Sequence, residues 1–209
     1  DLGKAREEID RQLLAWQGDF YHALGEQGFR GTTLGPYRAP ESAAPWFNCW
    51  ARTNADQTPK PRAQLDSTSC SSQSSLYIAE DIETGRAELS HAYVRSVDLN
   101  PFQFAAFVSQ YYGGAGMIRS WSRKRLTQPE CHEDFVQRDD GGKAGPVMRT
   151  VWCARAYRDF AGIYDVAITT VTQDRDKEAL VSRLAMQGVS YENAVTLAQR
   201  FLGELAWAK

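Results

Sequence analysis

No apolar run in this chain approaches the ~20 residues of a membrane-spanning helix, which sets aside a helical membrane anchor within it. No excess charge is present either. The formal net charge is -2, so no global field draws the protein to nucleic acid or anionic lipid. C-x-x-C spacing is absent, which excludes the zinc-ribbon and thioredoxin-like patterns. So are the G-x-S-x-G elbow of serine hydrolases and the phosphate-cradling Walker loop. Gly113-Gly114-Ala115-Gly116 lacks the preceding strand and following helix of a dinucleotide fingerprint. Histidine is scarce, at His22, His91 and His132.

What is present begins with four cysteines. Cys49 and Cys70 lie 21 positions apart, and Cys131 and Cys153 lie 22 apart. Two local disulfides explain this arrangement, and structural disulfides persist in oxidising compartments. The expectation is a secreted or periplasmic protein. The chain opens Asp1-Leu2-Gly3-Lys4 in a helical pattern, not as a signal peptide, so a trimmed piece of a longer exported protein is expected. Hydrophobic residues make up 43% and charged residues 24%, enough for an ordinary globular core in which the disulfides act as reinforcement.

Leu2, Ala5, Ile9, Leu13, Trp16 and Phe20 recur at helical steps and predict an N-terminal helix ended by Gly25 and Gly28. Residues 30–45 read as irregular. Trp46–Arg52 reads as a strand, and 53–75 as a polar Ser/Thr-rich loop around Cys70. Leu76–Asp81 and Arg86–Val97 read as strands joined by a turn at Ile82–Gly85. Asn100-Pro101 reads as a helix start with Phe104, Phe107, Val108 and Tyr111 inward. Residues 115–145 read as an irregular insertion. Val147–Tyr157 and Ile163–Thr172 read as a hairpin turning near Gly162. Asp174 reads as the cap of a short helix running to Met186, and Ser190 as the cap of a final helix. Short connections favour antiparallel pairing. The expected fold is one α+β domain over 1–209, with an antiparallel sheet of about five strands and helices packed on one face.

Chemistry-bearing residues are few. Cys131-His132-Glu133-Asp134 crowds ligand-type groups, with His91 or Cys153 as further ligands. Adjacent residues on one element rarely converge on one ion, so no metal is expected. Asp139-Asp140-Gly141-Gly142 and Asp174/Asp176/Glu178 lack the oxygen spacing of a calcium loop. His91 or His132 could serve as a general base only with a nucleophile and an orienting acid. The basic stretch Arg119, Trp121, Arg123, Lys124 and Arg125 interleaves cations with an indole, a pattern suited to anionic surfaces. With Trp46 and Trp50 it forms the candidate contact surface.

Two stretches, Cys49-Trp50-Ala51-Arg52-Thr53-Asn54-Ala55-Asp56 and Gly188-Val189-Ser190-Tyr191-Glu192-Asn193-Ala194 leading into Phe201-Leu202, carry a resemblance. They resemble the non-catalytic region downstream of the protease domain in secreted bacterial trypsin-like serine proteases. That family's catalytic elements are absent, so no catalytic residue carries over. The resemblance implies an accessory module of an exported hydrolase. The expected function is therefore an extracytoplasmic, non-catalytic module without cofactor, binding a protein partner or a linked protease. A hydrolase using His91 or His132 and a structural subunit of an envelope assembly are the alternatives.

Overall fold

A computed structural model describes residues 1–52, 65–72, 76–79, 82–94, 126–173 and 178–208. The expected helix after Asn100-Pro101 lies outside these residues. Helix α1 (Leu2–Gln27) starts on Asp1, whose carboxylate accepts from the Gly3 N–H, and stops at Gly28. Helix α2 (Tyr191–Glu204) starts on Ser190, whose hydroxyl accepts from the Asn193 N–H. This is the cap that the sequence predicts.

The described residues also form twelve strands: β1 (Phe29–Leu34), β2 (Tyr37–Ser42), β3 (Phe47–Arg52), β4 (Leu65–Ser72), β5 (Leu76–Ala79), β6 (Ile82–Thr84), β7 (Arg86–Val94), β8 (Glu130–Asp140), β9 (Lys143–Ala156), β10 (Tyr164–Gln173), β11 (Ala179–Val189) and β12 (Ala206–Trp207). Seven of them form one antiparallel sheet in the order β3-β4-β7-β11-β10-β9-β8. Strands β1, β2 and β12 form a second sheet, and β5 and β6 a third. The α+β class and antiparallel pairing hold, while the main sheet has seven strands where about five were expected.

Several local expectations are corrected. Residues 30–45 form the β1–β2 hairpin. The serine-rich stretch around Cys70 is strand β4, which pairs with β3 on one side and β7 on the other. The turn at Ile82–Gly85 is itself partly strand: β6 pairs with β5, while β7 enters the large sheet. Much of the expected 115–145 insertion is the β8–β9 hairpin, closed by Gly141 and Gly142, where the Gly142 N–H reaches Asp139 Oδ1 at 2.7 Å. The expected β9–β10 hairpin forms, with Gly162 at φ 86°.

The largest correction is β11. Ala179–Val189 is the middle strand of the sheet, not a helix. Its Ala, Leu and Met residues favour helix weakly, but burial on both faces decides the outcome. Leu180, Leu184 and Met186 alternate with Val181 and Ala185, and all are at most 1% exposed.

The register fixes two faces. The front face carries Leu89, Leu184, Ile168 and Trp152 in one cross-strand row. Tyr21 and Leu24 of α1, and Ala194, Leu197, Ala198 and Phe201 of α2, share the core cluster with it. The back face carries the alternate residues.

Both cysteine pairs are disulfides, Cys49–Cys70 and Cys131–Cys153. Each joins directly opposed residues, β3 to β4 and β8 to β9. Among the described residues, strands β3 and β8 are the two edges of the sheet. Cys70 shares the row of Leu89, Leu184 and Ile168, whereas Cys153 shares the next row with Ala167 and Ala185. The two bridges therefore staple opposite edges on opposite faces.

Candidate functional site

Strand β3 contains only one of the two expected tryptophans. Trp46 precedes β3 and packs partly buried beside the core, its ring 6.5 Å from that of Phe20. Trp50 lies within β3 on the back face and is 49% exposed. Arg119, Trp121, Arg123, Lys124 and Arg125 lie outside the described residues.

The three histidines have different settings. His22 is exposed on α1, 3.3 Å from Glu26. His132 is exposed on β8. His91 is 2% exposed on the front face. Its Nδ1 lies 2.8 Å from the Ser182 Oγ, and its Nε2 lies 2.5 Å from the Pro40 carbonyl oxygen. A carbonyl only accepts, so Nε2 carries the hydrogen and Ser182 donates to Nδ1. Phe201 stacks on the ring at 5.7 Å. Burial pushes the imidazole down to about 4. Ser182 is 0% exposed. This serine–histidine pair is closed off from solvent; it ties β7, β11 and β2 together.

A second buried polar group surrounds Asp165, which is 1% exposed. The Tyr157 hydroxyl donates to Oδ1, Arg155 pairs with Oδ2 at 3.3 Å, and the Gly188 N–H reaches Oδ1 at 3.4 Å. Burial pushes the carboxyl up, against the opposing pull of these donors. Beside it, the Tyr21 hydroxyl donates to the Gln187 carbonyl at 2.5 Å. The neighbourhood pins α1 and the β9–β10 hairpin to the end of β11.

Ligand-type side chains gather at Glu41, Cys49 and Cys70. The two sulfurs there are bonded to each other and cannot ligate. At the expected Cys131-His132-Glu133-Asp134 cluster, Cys131 is likewise consumed in its disulfide, and strand alternation sends neighbouring side chains to opposite faces. A cavity of about 120 Å³ lies between α1 and the β9–β10 turn, walled by Leu13, Leu14, Phe160 and Ile163 with Gln17 and Thr84. Its lining carries no reactive pair.

Open apolar surface sits on the flanks of the back face. On β8, Phe135 is 69% exposed, and on β9 Val147 is 50% exposed. Phe135 faces Arg149 across the pair, which puts Val147 and Val151 on its diagonals. Arg149 pairs with Glu133. Between these flanks Ala167, Val181 and Ala185 are buried. Sequence reasoning missed Phe135, because it lay in a stretch read as irregular; the alternation Cys131, Glu133, Phe135, Gln137 is the signal that locates it.

No family model matches the chain, and no curated protein matches it. Two solved structures are similar in shape. The cyanobacterial PsbP protein (CyanoP) of Synechocystis aligns at TM-score 0.44 and 13% identity, over 87% of this chain and 94% of that one. The Ran-binding protein Mog1p of Saccharomyces cerevisiae aligns at TM-score 0.40 and 11% identity, over 86% of this chain and 95% of that one.

Proposed function

We propose that this chain is an extracytoplasmic, non-catalytic module that binds a protein partner, an exported protease among the candidates. One observation carries the reading: large aromatic side chains stand exposed at disulfide-stapled sheet edges. Trp50 is 49% exposed and Phe135 69% exposed. Aromatic side chains on rigid supports make efficient contact anchors, since little motion is lost on binding. The disulfides favour an oxidising compartment. The basic stretch Arg119–Arg125 remains part of the proposed surface on sequence grounds. Nothing comparable favours a hydrolase, because His91 is sealed by Ser182 and Pro40.

Proteins co-purifying with the module from the extracytoplasmic fraction of its source cells test this. Trp50→Ser combined with Phe135→Ser is expected to cut recovery of the main partner by about tenfold or more, the loss of a typical anchor. Trp121→Ala or charge reversal at Arg123 and Arg125 is expected to weaken it further. Recovery unchanged in all these variants contradicts the assigned surface.

A second reading, a structural subunit, is favoured by α1. Leu2 is 91%, Ile9 56% and Leu14 40% exposed, so the first half of the helix offers apolar groups to a neighbour. Sedimentation equilibrium at rising concentration separates the two. A strictly monomeric mass contradicts self-assembly.

A further inference from the structure

Among the described residues strand β8 ends the large sheet, so one side of its backbone has no partner strand there. In an antiparallel ladder, residues alternate between pairs that exchange both backbone hydrogen bonds, ~5.5 Å apart at Cα, and pairs that point those groups away, ~4.5 Å apart. Cys131 and Cys153 face each other at 4.1 Å, the spacing of a non-hydrogen-bonded pair. By the two-residue period, Cys131, Glu133 and Phe135 aim their N–H and C=O groups outward, away from β9. The Phe135 N–H agrees: it is met by Oδ1 of Asp134 at 2.8 Å, a local stopgap.

Edge strands are normally blunted by charged side chains, lysine above all, by proline or by a bulge; here Glu133 and Asp134 are the charged residues. Residues 131–137 contain neither lysine nor proline. The register shift of β8 falls beyond them, between Gln137 and Asp139. Among the described residues the stretch is thus a regular open edge: residues 131–135 and 137 are exposed, and no described strand pairs with their outer side. The disulfide holds it to β9. Its own residues are mainly acidic: Glu130, Glu133, Asp134, Asp139 and Asp140 stand against Arg138, and Glu133 is paired with Arg149 of β9.

We propose that β8 accepts an extended, basic segment of a partner protein as an eighth strand of the sheet. The segment's backbone pairs with Cys131, Glu133 and Phe135, and an apolar side chain on it rests on Phe135 and Val147. Charge selects the occupant. A second copy of this chain would bring the same excess of acids against itself, whereas a basic segment neutralises it. This rests on the protein-binding reading above and names the edge and the kind of segment that binds there.

The test screens the whole folded protein against a library of extended peptides alternating Lys or Arg with apolar residues, beside an acidic library of the same pattern. Bound peptides are followed by amide hydrogen exchange. Saturation with a basic binder is expected to slow exchange at Glu133 and Phe135 by about tenfold or more. Methylating alternate backbone nitrogens of that peptide should abolish the effect while leaving its side chains intact. Phe135→Pro removes an outward N–H that β9 does not use, and should weaken binding at least as much as Phe135→Ala. The peptide variant keeps the test valid should the proline variant misfold.

Peptides that never protect these amides, or that bind regardless of backbone methylation, overturn the proposal. So does equal binding by the acidic library, or a dimer of this chain that Phe135→Ala dissolves. If partner recovery still depends on Trp50 while β8 stays unprotected, the edge assignment falls and the module reading stands. If neither surface matters, both fall.

Discussion

Enclosed by the Ser182 hydroxyl, the Pro40 carbonyl and the Phe201 ring, His91 is a base that stays neutral near pH 7. Its folded value, about 4, lies below the ordinary 6.5. Above pH 6.5 both states are neutral and its contribution is fully present. Between 6.5 and 4 the unfolded chain takes up a proton that the folded chain refuses, so stability falls with pH, by about 3 kcal/mol at most. The raised carboxyl of Asp165 acts in the opposite sense, favouring the fold at low pH and losing that contribution as pH rises through its folded value. Comparing the wild type with His91→Gln cancels the Asp165 part. The expected result is a melting temperature that falls more steeply from pH 6.5 to 4 in the wild type than in the variant. Matching pH slopes would contradict it. Nitrogen-edited NMR should also find His91 as the Nε2–H tautomer down to pH 5. The sequence placed His91 on a strand but could not say which face that strand buries. Trp46 and Trp50 pose the same problem: their even spacing in one apolar stretch suggests a pair, yet only one lies inside β3.

Elements were legible where local signals and tertiary demands agree. Ser190 begins α2, and Ala194, Leu197, Ala198 and Phe201 line its buried side. Ser190→Ala is expected to cost about 1 kcal/mol in urea denaturation, the usual loss of a side-chain cap. An unchanged midpoint would show that the cap contributes nothing. Elements were misread where burial outweighs composition. β11 reads as helix because alanine, leucine and methionine follow one another, yet it is the centre strand. Strand β8 and the turn into β9 read as irregular because charged residues fill that exposed edge, while the rest of β9 reads as the strand it is. Gly188, expected only to break a helix, instead has φ 62° and packs against Thr84. A Cβ there would lie 2.8 Å from the Thr84 Cα. Gly188→Ala is therefore expected to cost more than the Ser190 change, about 2 kcal/mol or more. A smaller loss would mean that the β6–β11 junction yields.

For the whole molecule, the two disulfides close the sheet from both ends. The cysteine spacing made the pairing legible. That the bridges hold the two edges on opposite faces was not, since sheet order depends on contacts remote in sequence. Each bridge closes a loop near 20 residues, and removing either pair by serine substitution is expected to cost about 3 kcal/mol. The bridges share no neighbours, so the losses should add. Cys70 and Cys153 are both buried, but Cys49 packs half-buried against the core while Cys131 is exposed, so the Cys49–Cys70 pair should cost somewhat more. Non-additive losses in denaturant titration would contradict the separation of the edges.

The proposal of an exported, doubly stapled module is tested most directly by intact mass. The protein is taken from its own cells, its free thiols are blocked, and it is weighed before and after reduction. The expected result is no blocked thiol and a mass lower than the reduced form by four hydrogens, with fragments linking Cys49 to Cys70 and Cys131 to Cys153. Four blocked thiols would contradict both the compartment and the stapled edges.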